Sequence, residues 1–215
     1  GKDSMSGTFE NINVPNTLVS FAVDVEDVKN VTSGSFKEAK KNIYLVTVPY
    51  SDLLAPDYET FLTNSDALYD LNKDGKISAM YPVGPGGIAE AVTKMSMGNM
   101  IGAEIDAAEV GGVKNLFVPT YGNIIVESEI NLEKEKAFVK GTVKCIGKTI
   151  AEKQLLVLNA EIGGVKNKKI EISLEDCVNT WEEKLNKVFP RVSGAELQPE
   201  LPEFAKNVHP SLNEA

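Results

Sequence analysis

Ser78-Ala-Met-Tyr-Pro-Val-Gly-Pro-Gly-Gly-Ile-Ala-Glu-Ala-Val-Thr-Lys-Met-Ser-Met-Gly-Asn-Met-Ile-Gly102 is the most informative part of the sequence for the architecture of this chain. It predicts a short extended segment, a glycine-rich turn and an amphipathic helix over 88–100, because Ile88, Val92 and Met95 fall at i, i+4 and i+7. Glycines at 84, 86 and 87 allow the main chain to approach a ligand closely, and a helix N-terminus offers N–H groups and positive dipole charge. The pattern indicates an anion-binding turn, although glycines before a helix also serve simply to let it pack closely on a sheet.

The rest of the chain predicts an α+β fold. Runs rich in Val, Leu, Ile and Phe, or with alternating apolar residues, predict strands at 17–25, 43–48, 124–126, 142–150, 154–158 and 169–172. One further helix is opened by Pro56-Asp57 and closed by Asp74-Gly75, and another begins at a capping box of Ser173 and Asp176. The economical assembly is a mixed, largely antiparallel sheet with the helices on one face.

These two helices each have a predicted apolar face. The face of the first contains Tyr58, Phe61, Leu62, Leu68 and Tyr69. The face of the last contains Leu174, Val178, Trp181, Leu185 and Val188, and we expect Trp181 to be buried as a core anchor.

Composition indicates a globular domain that contacts neither nucleic acid nor membrane. The chain has 215 residues, of which 42% are hydrophobic and 25% charged, and its net charge of −9 argues against binding to nucleic acid or anionic lipid. The sequence contains neither a signal peptide nor an apolar run long enough to span a membrane, so we expect a cytoplasmic protein. Cys145 and Cys177 are too few for a disulfide framework and are expected to be buried or half-buried free thiols.

Residues 191–215 have a different character and are expected to form an extended linker. Pro199, Pro202 and Pro210 interrupt any helix, and apolar residues become isolated. The single histidine, His209, lies in this segment and is expected to be an exposed bystander rather than a general base.

A second motif resembles a calcium-binding loop. Asp70-Leu-Asn-Lys-Asp-Gly-Lys-Ile-Ser78 matches the first nine positions of an EF-hand or dockerin loop. Position twelve, where such a loop needs a carboxylate, is Tyr81, and Pro82 follows where the exiting helix would begin. A helix-to-strand turn explains the same residues, so no metal site is predicted.

Four motifs together resemble one enzyme family. They are Gly1-Lys-Asp-Ser-Met-Ser-Gly7, Gly86-Gly-Ile-Ala-Glu-Ala91, Leu116-Phe-Val-Pro-Thr-Tyr-Gly122 and Trp181-Glu-Glu-Lys-Leu-Asn-Lys-Val-Phe-Pro190. In this order they resemble the large phosphoribosylformylglycinamidine synthase, specifically the C-terminal domain of its second half, which is similar to aminoimidazole-ribotide (AIR) synthetase. The resemblance covers residues 1–190 and implies an AIR-synthase C-terminal-domain-like fold.

The resemblance implies that the chain is a fragment of a longer ligase. The family converts formylglycinamide ribonucleotide, ATP and glutamine-derived ammonia to formylglycinamidine ribonucleotide in purine biosynthesis. ATP and magnesium are its cofactors, neither of which we expect to be bound by the fragment. The implied partners are the remaining synthetase domains and a glutamine amidotransferase domain, toward which residues 191–215 would lead.

Site residues follow from the same resemblance. Lys2, Asp3, Ser4 and Ser6 are expected to contact phosphate or the neighbouring synthetase half, and Gly84, Gly86 and Gly87 to bind nucleotide through main-chain N–H groups. Family members commonly have a magnesium-binding aspartate and a serine where this chain has Pro82 and Gly84, and carboxylates where it has Val118-Pro-Thr120. No catalytic residue is therefore predicted, and the isolated chain is expected to be inactive.

Two alternatives stay open at this point. One is a stand-alone member of the same superfamily, such as AIR synthetase or selenophosphate synthetase, which carries its own N-terminal nucleotide-binding domain. The other is a calcium-binding interaction module built on the Asp70 loop, which a calcium titration would distinguish.

Overall fold

The N-terminal segment forms a two-stranded sheet of its own. In the computed structural model, which describes residues 2–51 and 55–187, strands β1 (Lys2–Phe9) and β2 (Ile12–Ser20) pair antiparallel, with a register shift between Met5 and Gly7. Every residue of β2 is exposed. The predicted strand at 17–25 therefore exists only as far as Ser20, and residues 21–27 belong to no strand.

A seven-stranded sheet forms the centre of the fold. Its strands are β3 (Asn42–Val46), β4 (Ala79–Pro82), β5 (Gly102–Asp106), β6 (Ile124–Ser128), β7 (Val143–Ile150), β8 (Gln154–Ile162) and β9 (Val165–Ser173). They lie in the order β4-β6-β3-β7-β5-β8-β9, and neighbours are antiparallel except β5 and β8, which are parallel. The predicted α+β class with a mixed, largely antiparallel sheet is confirmed.

The described residues form three α-helices: α1 (Tyr58–Lys73), α2 (Gly87–Asn99) and α3 (Leu174–Glu183). The Asp57 carboxylate caps α1 by accepting a hydrogen bond from the Thr60 N–H at 2.9 Å. The prediction for α2 is confirmed, since Ile88, Val92 and Met95 are all buried.

The predicted apolar face of α1 is confirmed at the buried Leu68 and wrong at three other positions, while Phe61 is half-buried. Tyr58, Leu62 and Tyr69 are exposed, whereas the buried positions are Thr60, Asn64, Ala67, Leu68 and Leu71. Asn64 takes the core side because its amide donates to the Thr47 carbonyl and the Thr142 hydroxyl, while its oxygen accepts from the Val139 N–H. The hydrogen-bonded side chain of Asn64 thus occupies a buried position on α1 where an apolar residue would be expected.

The predicted burial of the last helix is also wrong. Leu174 is fully buried, but Trp181 is 62% exposed and Leu185 is 61% exposed. Val178 is half-buried, and the fifth member of the predicted stripe, Val188, lies outside the described residues, as do His209 and the 191–215 segment.

The chain divides into two compact units, Gly1–Leu174 and Glu175–Ala215. In the first unit, α1 packs on one face of the sheet through a buried cluster of Tyr44, Val46, Ala67, Leu68, Leu71, Ile77, Val126, Leu132 and Phe138. The described part of the second unit consists of the rest of α3 and the residues that follow to 187. The boundary predicted at residue 190 stays a prediction.

Candidate functional site

The glycine-rich turn lies between the edge strand β4 and helix α2, as the sequence predicts. Gly87 has a φ of +71°, and a Cβ there would lie 2.5 Å from the Leu116 carbonyl oxygen. A side chain at 87 would therefore collide with main chain that cannot move aside cheaply. Close packing, which is the alternative explanation of these glycines, is a real requirement at this position.

The positive end of α2 is closed by a carboxylate from the helix itself. Glu90 reaches back so that its Oε2 accepts a hydrogen bond from the Gly86 N–H at 2.7 Å. A Cβ on Gly86 would lie 2.6 Å from the Glu90 Cβ, so glycine leaves the space that this carboxylate crosses. The turn is therefore built around an internal negative charge, which complements the helix dipole.

Lys94 holds the other oxygen of this carboxylate. Its Nζ lies 2.6 Å from Glu90 Oε1, one helical turn away on α2. The Lys94 ammonium, and after it the Gly86 N–H, lowers the pKa of Glu90 below its ordinary value. In return the Glu90 carboxylate raises the pKa of Lys94, so both groups are charged at neutral pH.

These contacts bear on the predicted main-chain nucleotide site. Of the three glycines, Gly86 donates its N–H to Glu90, and Gly87 donates to the Gly84 carbonyl at 3.0 Å. An incoming phosphate would have to displace Glu90 to reach the Gly86 N–H. Sequence reasoning missed this role of Glu90, which reaches back as in a capping box but lies four residues after the N-cap Gly86 rather than three.

The residues at this turn do not fit a magnesium site. Pro82 and Gly84 have no side-chain oxygen, and the nearby Glu90 carboxylate is engaged by Lys94 and Gly86. Across residues 2–51 and 55–187, no group of three His, Cys, Asp or Glu side chains could hold a metal ion. The side chains of these described residues therefore supply no basis for magnesium chemistry.

The second predicted set of site residues lies in β1 rather than in a turn. Lys2 and Asp3 pair with Ser20 and Val19 of β2, and the exposed Ser4 and Ser6 side chains help to line an open concavity with Asn16, Thr17 and Leu18. β1 belongs to the two-stranded sheet, whereas the glycine-rich turn follows β4 of the seven-stranded sheet. The two sets are thus carried by different sheets.

The turn before β6 lies beside the glycine-rich turn because β4 and β6 pair. Gly122 has a φ of +90° and packs against Val48 and Phe61. The Thr120 hydroxyl oxygen just before it is buried without a hydrogen-bond partner in the part of the chain that the structure describes.

A buried carboxylate that sequence reasoning missed lies on β6. Glu127 is fully buried, and its oxygens accept hydrogen bonds from the N–H groups of Lys37 and Glu38. Burial raises the pKa of Glu127, and the two N–H groups and the nearby Lys41 ammonium oppose this shift. Glu127 thereby ties the 33–38 loop to the sheet, a role that only tertiary structure reveals.

The calcium-like motif is part of the end of α1. Asp70 and Asn72 lie within the helix, and Asp74 is its C-cap and forms an ion pair with Lys76 at 3.1 Å. The Asn72 side chain donates to the Asn30 carbonyl. The structure therefore uses these residues for helix termination and loop attachment.

Two minor predictions can be compared with the structure directly. Cys145 and Cys177 are free and half-buried, as expected, and burial raises the pKa of both thiols. Among the described residues, no helix is both long and apolar enough to cross a membrane.

Sequence comparison supports the resemblance stated above. The chain is 30% identical over 173 residues to the phosphoribosylformylglycinamidine synthase subunit PurL of Picrophilus torridus, covering 71% of this chain and 23% of that protein. It is 25% identical over 190 residues to the same subunit of Lactobacillus delbrueckii subsp. bulgaricus, covering 80% of this chain and 24% of that protein. The chain thus spans about a quarter of the length of the relatives it matches. No family model matches the sequence.

Solved structures share the fold. Thermotoga maritima PurL complexed with FGAR superposes with a TM-score of 0.56 at 12% identity, over 82% of this chain and 33% of that one. The same protein complexed with AMPPCP gives a TM-score of 0.55, covering 82% of this chain and 30% of that one. The predicted resemblance to phosphoribosylformylglycinamidine synthase is confirmed, and so is its AIR-synthase-like fold. The assignment to the second half of the enzyme stays a prediction.

Proposed function

We propose that this chain serves as one domain of a phosphoribosylformylglycinamidine synthase. That enzyme is an ATP-dependent carbon–nitrogen ligase of purine biosynthesis, which uses glutamine-derived ammonia to convert formylglycinamide ribonucleotide to the amidine. The observation that carries the proposal is the 30% identity over 173 residues to a PurL subunit. The shared fold with T. maritima PurL, of which complexes with FGAR and with ATP are known, supports it.

Within that enzyme the chain has a structural role rather than a catalytic one. Pro82 and Gly84 remove the side-chain oxygens that would hold magnesium, and Glu90 occupies the Gly86 N–H. Magnesium and the reacting phosphate are then held by other synthetase domains, and ammonia comes from a glutamine amidotransferase domain. The enzyme works in the cytoplasm.

The chain's own contribution to binding comes from two places. Lys2, Asp3, Ser4 and Ser6 on β1 contact phosphate or the neighbouring synthetase half, for which Lys supplies charge and Ser supplies hydroxyl groups. Gly84, Gly86 and Gly87 contact nucleotide only through main-chain N–H groups, and this contact requires Glu90 to turn away.

A domain exchange tests the proposal. The segment of the P. torridus relative that matches this chain is replaced by the chain, and the hybrid is assayed for amidine formation and for growth of a purine auxotroph. We expect activity, because the replaced domain supplies fold and interfaces but no catalytic side chain. A folded hybrid without any amidine formation would contradict the proposal.

Variants of the same hybrid test the binding residues. A hybrid carrying Ser4→Ala and Ser6→Ala should raise the KM for formylglycinamide ribonucleotide or weaken domain association, because both hydroxyl groups are lost. The control removes the hydroxyl groups of two exposed threonines on helices α1 and α3, Thr63→Ala and Thr180→Ala, and should change neither quantity. Equal behaviour of the two hybrids would show that β1 does not take part in binding.

A further inference from the structure

The Glu90 carboxylate fills the space that a ligand of the glycine-rich turn would use. Its Oε2 accepts a hydrogen bond from the Gly86 N–H at 2.7 Å. A Cβ on Gly86 would lie 2.7 Å from this oxygen, and a Cβ on Gly84 would lie 3.5 Å from it. The bare side of both glycines therefore faces the carboxylate, whose charge and volume oppose the entry of a second anion.

The two partners of Glu90 are groups that proteins commonly use to bind phosphate. One carboxylate oxygen accepts from a main-chain N–H at the start of α2, and the other accepts from Lys94 Nζ at 2.6 Å. Helix N-terminal N–H groups and lysine ammonium groups both bind phosphate oxygens. A side-chain cation and a main-chain donor thus meet at one anion, and that anion belongs to the chain itself.

Lys94 has a second partner at the turn that does not depend on Glu90. The hydrogen bond to Glu90 raises the pKa of Lys94 most, and a further hydrogen bond, to the Tyr81 side chain, also raises it. Tyr81 belongs to β4, and its ring packs against the 33–38 loop, because a Cβ on Gly34 would lie 2.9 Å from the ring. β4 therefore offers the ammonium a contact that remains when Glu90 moves away.

The clasp between Glu90 and Lys94 can be opened by a more highly charged anion. The side chain of Glu90 is 30% exposed and that of Lys94 is 26% exposed, and ion pairs near the surface contribute little to stability. A carboxylate carries a single negative charge, whereas a phosphate group carries about 1.5 to 2 at neutral pH. A phosphoryl group therefore interacts more strongly than Glu90 with the ammonium and with the helix dipole.

We propose that Glu90 is an internal competitor for this turn, and that a phosphoryl group displaces it by taking over both of its partners, the Gly86 N–H and the Lys94 ammonium. Lys94 is thereby a phosphate-binding residue of the turn, in addition to the main-chain groups. Because Glu90 has to leave first, the turn is autoinhibited and selects ligands with more negative charge than a carboxylate. This inference rests on the proposed main-chain contact between the glycine turn and nucleotide, and adds its regulation.

Titration of the purified chain with pyrophosphate tests the competition, with calorimetry and the amide NMR signal of Gly86 as readouts. Glu90→Ala should bind pyrophosphate about tenfold more tightly than the wild type, because the competing charge is removed while both of its partners remain. Combining Glu90→Ala with Lys94→Met should remove most of this gain, because the ammonium is lost. The matched control is Glu104→Ala, which removes a 26% exposed carboxylate paired with Lys148 at 3.1 Å and should bind pyrophosphate like the wild type.

Circular dichroism and melting check that the variants are folded. If Glu90→Ala does not fold, Glu90→Gln decides by the same criterion, because it keeps the shape of the side chain without its charge. It too should bind pyrophosphate more tightly than the wild type.

Three outcomes would contradict the inference. Equal affinity of the wild type and the Glu90 variants would overturn the competition and leave the proposed contact of the glycine turn intact. A double variant that keeps the whole gain would overturn the role of Lys94. No pyrophosphate binding by the Glu90 variants would overturn both the inference and the main-chain contact, whereas an inactive domain-exchange hybrid would leave these binding results unchanged.

Discussion

At the scale of single residues, Glu90 determines what the glycine-rich turn can bind. A glycine turn before a helix offers N–H groups to an anion, but here the first such anion is a side chain of the same helix, 2.7 Å from the Gly86 N–H. Lys94 fixes that side chain by an ion pair. The arrangement satisfies the Gly86 N–H at the helix N-terminus without a ligand.

Glu127 provides a pH-dependent prediction at the same scale. Burial raises its pKa in the folded chain, while Glu38 adds to this shift and Lys41 opposes it. A carboxyl group whose folded pKa is raised contributes stability that is fully present below its unfolded pKa and is lost as pH rises through the folded pKa. The difference in the free energy of unfolding between wild type and Glu127→Gln should therefore fall as pH rises through this window.

Urea unfolding of both proteins between about pH 4 and pH 7 measures this difference, since other carboxylates titrate alike in the two and cancel. Gln retains the shape and one acceptor oxygen, so loss of a hydrogen bond shifts the curves by a constant. The matched control is Glu59→Gln on α1. A difference that is flat or rises with pH would show that the hydrogen bonds from Lys37 and Glu38 outweigh burial.

At the scale of elements, the sequence predicts best where local pattern and packing agree. α2 was predictable because Ile88, Val92 and Met95 repeat on one face and all meet the core. β1 was not, because its polar sequence becomes a strand only through pairing with β2. β5 was not predicted, because it depends on the close approach of two strands. A Cβ on Gly147 of β7 would lie 2.0 Å from the Glu104 carbonyl oxygen of β5.

The candidate site shows the same limit. The position of the glycine turn between a strand and a helix could be predicted from local spacing alone. That Glu90 fills the turn, that Asn64 replaces an apolar residue under α1, and that Glu127 is buried depend on contacts that local spacing does not specify. Apolar periodicity carries no information about such polar contacts.

Helix α3 gives a prediction that tests which residues of its predicted apolar stripe are buried. Leu174 is fully buried, whereas Trp181 is mostly exposed to water, with relative exposures of 0% and 62%. Leu174→Ala should reduce the free energy of unfolding by about 2 to 5 kcal/mol, whereas Trp181→Ala should change it by about 0.5 kcal/mol or less. Because Trp181 is the only tryptophan, unfolding should be followed by circular dichroism. Equal losses for the two variants would show that the indole is buried after all.

At the scale of the whole molecule, the shared fold is not accompanied by the site residues that the resemblance implies. The chain shares its fold with PurL structures and spans about a quarter of the length of its PurL relatives. Yet its glycine turn lacks side-chain metal ligands, and its N-terminal serines and lysine lie in a different sheet. The shared architecture is therefore not accompanied by side-chain metal ligands at the glycine turn.

The consequence is that the chain by itself should not hydrolyse ATP. Phosphoryl transfer depends on a positioned metal ion that bridges phosphate oxygens and on a water-excluded site. Within residues 2–51 and 55–187 no group of three acidic, His or Cys side chains could hold such an ion, and the Glu90 carboxylate at the turn is bound to Lys94. The purified chain, given ATP, magnesium, formylglycinamide ribonucleotide and ammonia, should release no phosphate above the buffer rate.

A PurL relative under the same conditions serves as the positive control, and Glu90→Ala, which frees the Gly86 N–H without adding a metal ligand, should stay equally inactive. Phosphate release that depends on formylglycinamide ribonucleotide would show that the chain carries a complete catalytic site.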